Sequence, residues 1–113
     1  MKEAAENYSF ADAELLDWKW EDGNCSTRLK AWDEKIIKMT FIDCIQFSYK
    51  LGDGISGFYV NDSNSDFLDS ALSRNYKVVP SEINYRHYML VDIDDFPFFE
   101  LVATNVILDR INV

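Results

Sequence analysis

The sequence predicts a mainly β fold, an antiparallel sandwich or strongly curved sheet with one short α-helix near residues 66–74. Three observations carry this. Apolar and polar residues alternate with period two through most of the chain, as strands require. Several runs are apolar on both parities, so two packed layers are needed to cover them. Only one stretch spaces its apolar residues at three and four with a clear cap in front. An α+β sheet with helices on one face is the alternative.

Taken in order, "SFADAELLD" (residues 9–17) reads as a short helix capped by Ser9, with Asp12 in its first turn. In "LDWKWEDGN", Leu16, Trp18 and Trp20 alternate with Asp17, Lys19 and Glu21 before the turn signal Asp22-Gly23-Asn24. "CSTRLKAW" then sets Cys25, Thr27, Leu29 and Ala31 against Ser26, Arg28, Lys30 and Trp32, which makes a hairpin of the pair. A second turn at Asp33-Glu34 leads into "KIIKMTFIDCIQFSYK", where Ile37, Met39, Phe41, Ile45, Phe47 and Tyr49 share a parity. Asp43 interrupts that parity, so the run is either two strands or one strand bent at a bulge. "LGDGISGFYV" holds three of the four glycines and reads as a turn followed by a short strand at Phe58 to Val60.

The helix lies in "NDSNSDFLDSALSRNY", capped by Ser65 or Asp66, with Phe67, Leu68, Ala71 and Leu72 on its buried face. Pro80 separates it from "INYRHYMLVDI", in which Ile83, Tyr85, His87, Met89, Val91 and Ile93 alternate with their neighbours. Asp94 to Pro97 forms the next turn, and "FFELVATNVILDRI" reads as one final strand buried on both faces.

The 113 residues fit a single domain spanning 1–113, with no linker-like or repeated segment to divide it. Apolar residues at 48% and aromatics at 15% exclude an intrinsically disordered chain. The opening "MKEAAENYSFADAELL" lacks the basic start and apolar run of an export signal, so a cytoplasmic location is expected, with Cys25 and Cys44 as free thiols. Twenty acidic against eleven basic residues leave a net charge of −9. Such a surface repels phosphates, which argues against nucleic acid and anionic membranes and favours a basic protein partner.

No catalytic signature is present. "GISG" at residues 54–57 lacks the spacing of a nucleophile elbow, and there is no phosphate-cradling glycine loop. His87 is the sole histidine and lies on an apolar parity, as a packed, hydrogen-bonded residue does. "DSNSD" at residues 62–66 imitates the start of a calcium loop but puts Phe67 where glycine is needed and Ser73 where a bidentate glutamate is needed. With one histidine and no C-x-x-C, a zinc site is not expected either. No catalytic, cofactor or metal residue is therefore assigned, and no enzyme activity is expected.

Two features remain as candidates for partner binding. Trp32 falls on the polar parity of its strand, where an exposed indole makes an interface anchor. "VDIDDFPFFELVA" groups Asp92, Asp94, Asp95 and Glu100 within nine residues. Strand parity scatters these four carboxylates, so they suit a charged face better than a cation site.

The segments "LDWKWEDG", "FIDCIQFSY" and "NYRHYMLVDIDDFPFFELVA", across about residues 15–103, resemble the small acidic β-rich immunity-type proteins that accompany bacterial polymorphic toxins. The resemblance is one of general pattern, with no diagnostic motif and no site residue to carry over. It implies a non-enzymatic protein that binds and neutralises a basic toxin domain. The alternative from another class is a β domain holding a small molecule in an aromatic-lined pocket.

Overall fold

Two antiparallel sheets pack face to face in a computed structural model that describes residues 2–5, 8–51, 54–61, 65–78 and 84–111. The elements are β1 (Lys2–Glu3), β2 (Glu14–Glu21), β3 (Asn24–Lys30), β4 (Ile36–Ile42), β5 (Gln46–Tyr49), β6 (Gly57–Asn61), α1 (Asp66–Asn75), β7 (Arg86–Val91), β8 (Pro97–Ala103) and β9 (Asn105–Ile111). One sheet has the order β1-β6-β7-β8-β5 and the other β2-β3-β4-β9. Among the described residues no helix is long and apolar enough to cross a membrane. The expected strand at Ile83, the break at Pro80 and the start of "DSNSD" lie outside the described residues.

The β2–β3 hairpin forms as its turn chemistry dictates. Asp22 (φ 52°) and Gly23 (φ 79°) both occupy the left-handed region, the requirement of a tight two-residue turn that matches strand twist. Cys25, Thr27 and Leu29 of β3 point inward and are fully buried, and so do Ile37, Met39 and Phe41 of β4. Tyr88 and Leu90 of β7 with Phe99, Leu101 and Ala103 of β8 face them from the five-stranded sheet. Phe58 links the layers, edge-on to Phe41 at 6.0 Å and stacked on Tyr88 at 5.9 Å.

The interrupted parity at Asp43 marks a change of sheet. β4 and β5 are separate strands in different sheets, with Asp43 at φ 50° between them. The final run makes the same crossing: instead of one strand it is β8 and β9, broken at Thr104. The two crossings are paired, since β4 pairs with β9 and β5 with β8. Between the pairs Ile42↔Asn105 and Gln46↔Val102 one strand carries three residues and the other two, a bulge that turns the ribbon from sheet to sheet. Thr104 fixes the corner by donating from its N–H (2.9 Å) and its hydroxyl (3.1 Å) to the Ile42 carbonyl.

Residues 9–17 are not helical. Ala11 and Asp12 make a turn with Asp12 at φ 63°, Ala13 bridges Ile55, and β2 begins at Glu14. Phe10 is the reason: it is buried against Phe58 at 5.3 Å, and Ala13 donates back to its carbonyl, so tertiary anchoring overrides the capping pattern. The helix α1 does form as expected, with the Ser65 hydroxyl accepting the Leu68 N–H at 3.0 Å. Its buried Leu68 and Ala71 lie on Tyr85 and Val102, on the outer face of the five-stranded sheet.

Candidate functional site

The two sheets leave an open side where the edge strands β2 and β5 face each other. Trp18 and Trp20 stand opposite the inward-facing Thr27 and Cys25, so their indoles point between the layers. An edge strand has no neighbour on one side, and both rings remain about two-fifths exposed, at 37% and 41%. From β5, Phe47 meets Trp18 at 4.9 Å and Trp20 at 5.5 Å, and Tyr49 meets Trp18 at 6.3 Å. The result is a continuous aromatic seam of Trp20, Phe47, Trp18 and Tyr49, anchored beneath by the fully buried Phe99, 6.1 Å from both Trp18 and Tyr49. Leu15, opposite the inward-facing Leu29, continues the inward row of Trp18 and Trp20, while Leu16 is the extra residue of a bulge between Leu15 and Asp17 and is exposed.

Each end of the seam opens into a hollow. One, of about 390 Å³, is walled by Trp20, Ile45, Gln46, Phe47, Arg74 and Asn75 at the end of α1. The other, of about 520 Å³, includes Glu14, Leu15, Tyr49, Ile55 and Phe98. On the opposite side of β2, Glu14, Asp17, Lys19 and Glu21 point to solvent. Arg28 donates from Nε to Asp17 at 2.9 Å, and this hydrogen bond holds the Asp17 carboxyl below the usual range. Lys19 does the same for Glu21 across 2.7 Å. Both pairs are exposed and contribute little stability, but they fix which charges the strand presents.

The five residues singled out from sequence do not form one surface. Trp32 is 67% exposed, at the tip of the β3–β4 loop, where Glu34 at φ 68° donates to the Ala31 carbonyl. Asp94 and Asp95 are exposed in the turn between β7 and β8. Asp92, in contrast, is buried: its Oδ1 accepts the N–H groups of Asp94 (2.9 Å) and Phe96 (3.0 Å). It organises the turn, which starts two residues earlier than the sequence indicated and leaves Ile93 exposed. Glu100 is withdrawn as well. Its side chain is 14% exposed and accepts from His87 Nε2 at 3.0 Å.

That contact belongs to a buried polar chain beneath α1. His87 Nδ1 meets the Ser65 hydroxyl at 3.1 Å, while the Phe67 ring stacks on the imidazole at 4.8 Å. Hydroxyl, imidazole and carboxylate in series are the parts of a nucleophilic relay. Here the Ser65 oxygen is already engaged by the helix N-terminus, and Phe67 covers the ring, which is 5% exposed. The arrangement therefore locks α1 to the sheet and leaves a reacting carbonyl no approach. Among the described residues no group of three or more His, Cys, Asp or Glu side chains is placed to hold a metal ion.

Cys25 and Cys44 are free and buried. Burial pushes the Cys25 thiol up to about 11, and burial together with the charge of Cys25 pushes Cys44 up to about 12. At neutral pH both are protonated and lack the thiolate needed for nucleophilic attack.

Sequence pattern placed Trp18 and Trp20 on the core parity and Phe47 and Tyr49 likewise. It did not reveal that all four lie on strands at sheet edges, which is what exposes them. No protein-family model, characterised protein or solved structure matches this chain.

Proposed function

We propose that the chain is a non-enzymatic protein-binding module that takes a basic partner through the aromatic seam. The reading extends to an immunity-type role in a bacterial cytoplasm, neutralising a toxin domain. The seam is the observation that carries it. Large, rigid, half-exposed aromatics supply contact area at low entropic cost and are the commonest anchors of protein interfaces. The charge of −9 adds steering toward a cationic surface. The anchor is thus Trp18 and Trp20 in place of Trp32, and Asp94 and Asp95 stay as rim charges while Asp92 and Glu100 serve the fold.

The test is capture of the partner from the source cell followed by association kinetics at several salt concentrations. Raising salt from 0.1 to 1 M shortens the Debye length from about 10 to about 3 Å, so association slows while dissociation changes little. Trp20→Ala speeds dissociation at least about ten-fold, the effect of losing an interface anchor. Trp32→Ala does not. An association rate indifferent to salt, or equal effects of the two substitutions, refutes the reading.

A second reading, a small-molecule site, draws support from the hollow beside Trp20, where an aromatic wall and the Arg74 side chain meet. It is distinguished by a ligand that quenches Trp20 fluorescence and competes with no protein.

A further inference from the structure

Four strand edges flank the two sheets, and three of them are short or covered. β1 has two residues and β5 four, too little for a stable added strand. β9 has seven, but the N-terminal segment lies against it: the Tyr8 hydroxyl donates to the Leu108 carbonyl at 3.4 Å, and the Arg110 guanidinium sits over the Tyr8 ring at 4.8 Å. β2 is different. It is the longest edge, with eight residues, and among the described residues its backbone hydrogen-bonds to β3 alone. It carries a bulge at Leu16 and a lysine, Lys19, on its solvent row, but neither proline nor a charged residue on the apolar row that faces the seam.

We infer that β2 takes up an extended segment of the partner as an added strand, with alternate apolar and basic residues. The inference rests on the protein-binding reading and supplies its mode of attachment. Side chains of a strand laid beside β2 alternate between two rows. One row extends the apolar line of Trp18 and Trp20 over the seam. The other runs beside Glu14, Asp17, Lys19 and Glu21, where Arg28 and Lys19 already offset Asp17 and Glu21, so it is the chain's overall charge of −9 that favours Lys or Arg in this row. A second copy of the chain is the poorer occupant, because it brings two charges of −9 together.

The probe is a blocked octapeptide of alternating Lys and Val, added to the uniformly ¹⁵N-labelled full chain. Controls are the same peptide N-methylated at every residue, which removes the donors of both strand edges, and an alternating Glu and Val peptide. The Lys–Val peptide slows exchange of the alternate amides of residues 14–21 that point away from β3 by roughly ten-fold or more at saturation and shifts the Trp18 and Trp20 indole signals. The N-methylated peptide gives no protection, and the Glu–Val peptide binds more weakly. Indole shifts without protection of β2 overturn strand addition but leave the seam as a protein-binding surface. Neither effect at up to about 5 mM peptide, a millimolar ceiling for even a weak site, overturns both. Protection that appears without peptide as the chain is concentrated, with a doubled mass in sedimentation, makes the occupant a second copy and also overturns the proposal.

Discussion

The two thiols give a stability profile that can be worked from their positions. Cys25 is fully buried and Cys44 nearly so, and their ordinary value of 9.0 is pushed to about 11 and about 12. A raised value in the folded state means that the unfolded chain loses these protons first as pH rises. Folded-state stability from this source is therefore complete below about pH 9 and is lost above it. Each thiol removes about 1.4 kcal/mol per pH unit while the pH lies between its unfolded and folded values. At pH 10, one unit above the ordinary value of both thiols, the loss is about 3 kcal/mol on the same scale, a large part of the stability of a small domain. Tyr85 and Tyr88 are also raised, by burial first, but from an ordinary value of 10.0, so their contribution begins higher. The assay is urea unfolding at pH 7, 8, 9 and 10 for the native chain and for Cys25→Ala with Cys44→Ala. The substituted chain is less stable throughout because of the space left behind, so the comparison is of slopes. Native stability falls more steeply between pH 9 and 10 than the variant's, which loses only the smaller tyrosine contribution. Parallel slopes, or rapid reaction of both native thiols with an aromatic disulfide at pH 8, would refute the burial argument.

Two further perturbations probe the fold that carries the seam. His87→Ala leaves the Glu100 carboxylate withdrawn from water without its partner and unpins α1, at a cost of about 2–4 kcal/mol by urea midpoint, whereas Glu100→Gln keeps an acceptor for His87 and costs much less. Faster amide exchange in residues 66–75 accompanies the first and not the second. At the hairpin, Gly23→Ala meets no neighbouring atom, so its cost is the backbone strain of φ 79° alone, about 1 kcal/mol; a neutral outcome in thermal unfolding contradicts the left-handed turn.

What was legible in the sequence was whatever local chemistry decides. The Asp22-Gly23 turn, the Ser65 cap and the alternation in β3 and β4 each follow from a few adjacent residues, and each is present in the structure. What was illegible depends on distant partners. The Ser9 capping pattern lost to the burial of Phe10. Thr104 carries no turn signal; its crossing is imposed by the bulge across from Asp43. Glu100 does point away from the core between the sheets, as parity requires, yet α1 covers that outer face beside it and turns a solvent-facing position into an internal one. Asp92 shows the reverse trap, since an acidic side chain that looks available in sequence is consumed by the backbone of its own turn.

The same logic accounts for where the seam lies. The corner formed by β4–β5 and β8–β9 makes the sheets continuous, so the fold would approach a barrel if the remaining edges met. They do not meet on either side. Between the β1–β6 edge and β9 the gap is filled by the chain itself, through Tyr8 and Phe10, which leaves Phe10 only 6% exposed. Between β2 and β5 it is filled by side chains alone: Trp18 and Trp20 meet Phe47 and hold the two edges apart without hydrogen bonds between them. Aromatic rings wedge such an opening well but do not satisfy the backbone of the strands they separate, and water must do so on β2. An added strand would replace that water and cover the rings in one step, which is why the unpaired edge and the exposed aromatics are best understood as a single feature.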